Sequence, residues 1–434
     1  MSATNSIPPP SIYYDASKKD FYILDKAGRW ISITATNVKC HLKVAGVSSR
    51  SAYGAIASPI DEEMVRIQTE NSVDYASPLA GYDAGLVMIN NRPILVTESP
   101  VVLEPADGEW PTIASILERM FNDPDGDQRP YLYGWLHVAV SGMQVRRWQP
   151  GQVCVLAGPV NCGKSLLQAL ITKLLGGRSA NPYLFVAGKT EFNADLFRAE
   201  HLMIEDNAES SDMRVRRHTG AIFKGVAVNH EHHFHKKGLT GLTLTPNWRM
   251  TVSVNDEPER LQVVPPVDDD IGDKMMLFQV RPGVMPMATS TAEERERFMQ
   301  QLESELPAFL KFLLEYRIPE ELRCTRFGIT HFHHPELLQA LNGLSQQSRL
   351  LELIDSSLHP YCGVNVLFEG TAAELERRLY EGNNAIAQQA RNLFSFNNAC
   401  GTFLGRLVRE MPDRVTRLGR SRYRIMAPSN TQHS

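Results

Sequence analysis

The chain has 434 residues, 43% hydrophobic and 22% charged, with a formal net charge of −4. That composition fits a globular protein of about two to four domains, and it excludes disordered, fibrous and uniformly basic chains. The six cysteines (Cys40, Cys154, Cys162, Cys324, Cys362, Cys400) form no Cys-x-x-Cys pair, which points to reduced thiols in a cytoplasmic protein and away from a zinc module. No apolar stretch reaches the roughly 18 residues of a membrane span. Polar, proline-rich Met1 to Pro10 reads as a frayed tail and not as a signal peptide.

From the front, Phe21 to Leu24 and Trp30 to Ile33 are strand-like runs around a turn at Lys26-Ala27-Gly28. A helix is expected near Thr36 to Ala45. Gly85 to Ile89 and Pro93 to Val96 return to β structure, so residues 1–108 form a small α+β domain with no catalytic motif. Residues 109–149 are a helical lead-in. Within it, Asn122 to Asp127 resembles part of a calcium loop but lacks the closing glutamate, so it reads as a turn.

Residues 150–290 carry the chemistry. Val153 to Ala157 is an apolar run of strand length. Next comes Gly158-Pro159-Val160-Asn161-Cys162-Gly163-Lys164-Ser165, a full match to the phosphate-loop pattern GxxxxGK[ST]. Leu166 to Leu175 then reads as a helix closed by Gly176 and Gly177. Strand, glycine loop and helix together aim backbone N–H groups and a positive helix end at an anion. Lys164 should reach the β- and γ-phosphates of a nucleoside triphosphate, with the Ser165 hydroxyl on Mg²⁺. ATP and Mg²⁺ are therefore the expected cofactors, although a phosphate loop reads no base.

Two further strands end in polar groups. Leu202 to Ile204 runs into Glu205-Asp206. By position Glu205 holds the metal and Asp206 is the base that polarises the attacking water, though such a pair can share roles. Arg249 to Val254 ends in Asn255, whose amide can orient the lytic water or touch the γ-phosphate; a plain strand-end turn is the competing reading. Between them, Phe223 to Gly238 alternates and closes on glycine, which suggests a hairpin or loop tipped by His235, Lys236 and Lys237, with Lys224 at its start. Ammonium groups beside His and Phe can track a phosphate backbone and stack a base. A solvated hairpin competes with that reading. The histidine spacing is too irregular for a metal site to be expected.

Residues 291–345 form a helical connector, and residues 346–427 a separate domain. Thr371-Ala372-Ala373-Glu374 is a capping box that starts a helix. Further helices are expected over Ile386 to Phe394 and Asn398 to Met411, the last stopped by Pro412 and carrying Arg406 and Arg409. Arg414 to Ile425 reads as a basic hairpin holding Arg417, Arg420 and Arg422. Residues 401–434 hold seven arginines against Glu410 and Asp413, a local charge of +5 in an acidic chain. Such a patch is the footprint of phosphate binding, with a solvated tail or a protein-docking wing as the competing reading. Three helices followed by a basic hairpin look like a winged helix.

The phosphate loop, Leu202 to Asp206, Lys224 to Lys237 and Met250 to Asn255 fall in the order of the four motifs of superfamily 3 helicases. Thr243-Leu244-Thr245-Pro246 and the helical lead-in Tyr131 to Leu136 also look like that family, closest to phage, plasmid and poxvirus-primase types. The resemblance covers residues 125–285 well and the rest loosely. It implies an α/β fold: a P-loop AAA+ core with an N-terminal α+β domain and a C-terminal winged helix. It further implies a hexameric ring that translocates on single-stranded DNA, with ATP between subunits and a cationic finger supplied by the neighbour. The family's usual arginine pair is not evident here. Lys274 occupies the comparable place, with Arg281 and Arg260 behind it. Duplex DNA and a primase or other replication protein are further partners in this reading, and no membrane is involved. The alternative is a DNA-binding NTPase switch or motor of a mobile element or defence system, without unwinding.

Overall fold

The computed structural model describes residues 12–427 except 125, 206–212, 236–240, 262, 266, 268–269, 344–345, 359–364, 383 and 395. The chain divides into two compact units, Met1–His334 and Pro335–Ser434.

The first unit opens with strands β1 (Ile12–Asp15), β2 (Asp20–Leu24) and β3 (Trp30–Ile33) and helices α1 (Ala35–Val44) and α2 (Pro59–Glu70). Ser58 caps α2 by a capping box with Asp61. Strand β4 (Ser72–Val73) joins β1 in parallel, giving the sheet order β3-β2-β1-β4. A second sheet, β5-β7-β6, is made by β5 (Tyr75–Ser77), β6 (Gly85–Ile89) and β7 (Arg92–Val96). Both hairpins and the first helix match the sequence expectation.

Helices α3 (Pro111–Phe121) and α4 (Arg129–Gln144) flank the acidic turn, which is a short hairpin of β8 (Asn122–Asp123) and β9 (Gly126–Asp127). Asp123 is buried there, paired with Arg281 and 3.6 Å from His334 Nε2. Its carboxylate therefore serves the packing of the turn.

The core sheet comprises β10 (Val153–Ala157), β11 (Ser179–Ala180), β12 (His201–Ile204), β15 (Arg249–Val254) and β16 (Met275–Gln279), in the order β11-β12-β15-β10-β16. Every pairing is parallel. Strands β10, β15 and β16 are buried throughout, as parallel strands covered on both faces must be. Between them come α5 (Lys164–Leu174), the short α6 (Tyr183–Val186), α7 (Met213–Val228), the antiparallel hairpin of β13 (His232–Phe234) and β14 (Leu242–Leu244), and α8 (Pro258–Leu261). Helix α9 (Ala292–Glu315), capped by Thr291 and Glu294, packs with α3, α4 and α5 into a large apolar core. The unit closes with a hairpin of β17 (Arg323–Cys324) and β18 (Gly328–Ile329). Among the described residues no helix is long and apolar enough to cross a membrane.

The second unit holds α10 (Pro335–Gly343), α11 (Gln346–Ser357), β19 (Val366–Thr371), α12 (Ala372–Tyr380), α13 (Asn384–Leu393), α14 (Ala399–Glu410), β20 (Val415–Arg417) and β21 (Arg422–Met426). Its antiparallel sheet has the order β19-β21-β20, and Leu350, Ile354, Leu375, Phe403, Leu404 and Ile425 lie in its core. Helices α12, α13 and α14 and the basic hairpin were legible in the sequence; α11 was not. Strand β19 and the inclusion of α10 were not.

Candidate functional site

The phosphate loop takes its shape from three local facts. Strand β10 is fully buried, so its C-terminal end is a fixed launching point. At Gly158 a Cβ would lie 2.2 Å from the Val280 carbonyl oxygen, so only glycine lets the chain leave the strand beside the segment that follows β16. Asn161 (φ +62°) and Gly163 (φ +104°) adopt left-handed backbone, which returns the chain to the first residue of α5, Lys164. The helix therefore begins at the lysine, two residues ahead of the expected Leu166, and its free N–H groups open on the loop.

Lys164 is buried. Its Nζ donates to the Gly158 carbonyl, to the Pro159 carbonyl at 2.8 Å and to Asn255 Oδ1 at 3.2 Å. The Cys162 thiol lies 3.7 Å from that ammonium; burial pushes the thiol's pKa up, and Lys164 opposes the rise. Val160, Asn161 and Ser165 are exposed, and Pro159 and Gly163 are half-buried. Register explains why Asn255 arrives here. Ala157 pairs with Val254 and Ile204 with Val252, so the loop, Asn255 and Glu205 emerge from the C-terminal ends of three adjacent parallel strands. Ligands of open parallel sheets bind at that edge. Glu205 is exposed; its neighbour Asp206 lies outside the described residues.

Alternation along β15 adds residues that the sequence reading missed. Thr251, Ser253 and Asn255 share one side of the strand. Thr251 Oγ1 accepts from Gln168 Nε2 of α5 at 2.8 Å, and Asn255 meets Lys164, so that side faces α5. Ser253 Oγ lies between them, buried and without a hydrogen-bond partner. His201 Nε2 is 2.8 Å from Thr251 Oγ1, and its Nδ1 is 2.7 Å from Thr172 Oγ1. Burial lowers the His201 pKa to about 3, so this link between α5, β12 and β15 is neutral. The signal for it was present in the polar alternation Thr251-Val252-Ser253-Val254-Asn255. As a donor set, the Ser165 hydroxyl, the Glu205 carboxylate and the orphaned Ser253 hydroxyl are hard oxygens of the kind Mg²⁺ takes.

Two expectations are corrected. Lys274 is only 6% exposed and bonds to Asp273 beside it, just before β16. A finger for a neighbouring subunit has to project, and this ammonium is spent within its own chain. Arg281 is likewise paired with Asp123, whereas Arg260 is exposed at the end of α8. The second correction concerns Lys224, which is on the last turns of α7 and 3.6 Å from Asp270, not on the hairpin. Phe223 and Ala227 are both buried, a spacing of four that marks a helix face.

The hairpin itself starts later, at β13. Its root is tied down: His235 N donates to Asn193 Oδ1 at 2.7 Å, and Asn193 Nδ2 donates to the His233 carbonyl at 2.8 Å. His235 is exposed, with its ring 5.6 Å from that of Phe192. Lys236 and Lys237 lie outside the described residues.

In the second unit, Arg406 and Arg409 of α14 and Arg417 of β20 line one cavity of about 560 Å³. Gly401 and Gly405 of α14 also line it. Arg420 and Arg422 are exposed beyond it on the hairpin. Two other arginines of the basic run are engaged: Arg414 with Asp355 at 2.7 Å and Arg424 with Glu369 at 3.0 Å.

No protein-family model matches the chain, and no curated protein matches it. Solved structures do. The apo structure of the NrS-1 C terminal region is 11% identical, with 97% of this chain and 96% of that one covered and a TM-score of 0.52. The A form apo structure of the same region gives 12% identity, 96% of each chain and a TM-score of 0.53. A looser superposition, with a TM-score of 0.33 at 10% identity, is with SCCmec type IV Cch, described as an active helicase; it spans 93% of this chain and 74% of that one. The chain thus shares the fold of the NrS-1 C terminal region over nearly its whole length.

Proposed function

We propose that this chain is an ATP-hydrolysing DNA helicase or translocase of the superfamily 3 type, working as a ring hexamer on single-stranded DNA in the replication of a phage or other mobile element. The observation that carries the reading is the hydrogen bond from Lys164 Nζ to Asn255 Oδ1, with Glu205 just past the end of the neighbouring strand. A phosphate-binding ammonium, a water-orienting amide and a metal-binding carboxylate share one edge, as phosphoryl transfer to water requires.

In this account residues 158–165 cradle the phosphates and Lys164 turns from Asn255 to the γ-phosphate. Asn255 then holds the attacking water, and Asp206 takes its proton. Ser165 and Glu205 would hold Mg²⁺, which would supply charge neutralisation to the bound triphosphate. Arg260 replaces Lys274 as the candidate finger for the neighbouring site. The β13–β14 hairpin, with His235, Lys236 and Lys237, grips the single strand. The second unit acts as a winged helix that places Arg406, Arg409, Arg417, Arg420 and Arg422 on DNA. A primase or another replication protein is the further partner of this scheme.

Replacing Lys236 and Lys237 together by alanine separates this reading from an NTPase switch. A translocase loses DNA-stimulated hydrolysis and keeps its basal rate. Unchanged stimulation would remove the hairpin from DNA and favour the switch.

A further inference from the structure

Arg119, near the end of α3, stands beside the phosphate loop. Its Nη2 lies 3.6 Å from where a Cβ on Gly163 would be, and Met120 beside it lies at 3.5 Å through its sulfur. The guanidinium is thus held against the turn that leads into Lys164. Its satisfaction is incomplete. Nη1 donates to the Gly283 carbonyl at 2.5 Å, and Nη2 has only the soft Met285 sulfur at 3.8 Å. Nε is buried without a partner. No carboxylate pairs with Arg119 among the described residues. That sets it apart from Arg129, Arg178 and Arg281, which also lie in the first unit and all have acidic partners.

A half-buried guanidinium with five donors and one good acceptor is costly to keep, and burial lowers its pKa. Only glycine at 283 leaves room for the stem: a Cβ there would lie 2.5 Å from Arg119 Cδ. The cation therefore lies beside the Gly163 turn, tied to the Gly283 carbonyl and with donors to spare. We propose that Arg119 is a nucleotide-binding residue in cis, its guanidinium donating to a phosphate of the nucleotide bound by residues 158–165. This rests on the reading of those residues as the nucleotide site. It adds a cation from the chain's own lead-in helix to a site whose expected finger, Lys274, is buried elsewhere. Arginine suits the task because its planar fork binds phosphate oxygens in pairs.

The test is competition of ATP and of inorganic tripolyphosphate against a fluorescent ATP analogue, for the wild-type chain, Arg119→Gln, Arg119→Lys and Lys164→Ala, with a thermal melt of each. Glutamine keeps the stem that packs on Gly283 and removes the charge and the guanidinium fork, and the thermal melt reads any cost in packing. The expected result is that Arg119→Gln weakens ATP and tripolyphosphate alike by about tenfold or more, with the melt unchanged and Arg119→Lys recovering part of the loss. If Lys164→Ala loses binding while Arg119→Gln retains full affinity for tripolyphosphate, Arg119 does not touch phosphate and the inference is overturned, with the site reading intact. If the wild type binds neither ligand, both fall together.

Discussion

Lys164 and Asn255 are hydrogen-bonded beside the glycine loop, and in the proposed account a bound triphosphate parts them. The ammonium then gains phosphate oxygens in exchange for carbonyls and an amide, while the amide is released to orient water. Replacing Asn255 by alanine should therefore leave nucleotide affinity within a few-fold and lower hydrolysis by about a hundredfold. Equilibrium titration and steady-state turnover on the same preparation check this, and an equal loss in both would place Asn255 in binding alone. His201 makes a second prediction at this scale. Its pKa falls from an ordinary 6.5 to about 3 on burial. The unfolded state thus binds the proton more tightly, and stability is lost as pH drops from about 6.5 towards 3. The loss is on the order of 4 kcal/mol by pH 3 for a fully buried neutral imidazole. His201→Gln should flatten the pH dependence of denaturant unfolding across that window; identical slopes in the two proteins would contradict the assignment.

At the scale of elements, local chemistry made most of the fold readable. The glycine loop, the buried run Val153–Ala157 and the capping box at Thr371 each carry their own geometry. Thr371 Oγ1 accepts from Glu374 N at 3.2 Å, and Glu374 Oε2 accepts from Thr371 N at 2.7 Å. Thr371→Ala should cost about 1 kcal/mol, read as a lower melting temperature of the second unit, with nucleotide binding unchanged. What escaped the sequence depends on partners distant in the chain. Val366–Thr371 becomes a strand only because Arg422–Met426 comes back to pair with it. In Phe223 to Val228 a two-residue and a four-residue period overlap, and burial of Phe223 and Ala227 decides for the helix. Lys274 looked free because its position was read by order along the chain; its burial is a tertiary fact. The orphaned Ser253 hydroxyl and the guanidinium of Arg119 also gain meaning only once the strands and α3 are assembled.

For the whole molecule, the fold shared with the NrS-1 C terminal region runs through both units, while the proposed activity rests on one sheet edge and on two basic stretches of the sequence. The chain's formal charge of −4 makes those stretches local features, so any DNA affinity should fall steeply with salt. The most direct test of the account is ATP hydrolysis with and without single-stranded DNA, for the wild type and Lys164→Ala, with the particle mass measured alongside. The account predicts DNA-stimulated turnover by a hexamer that the substitution abolishes. Hydrolysis by a monomer indifferent to DNA would contradict it.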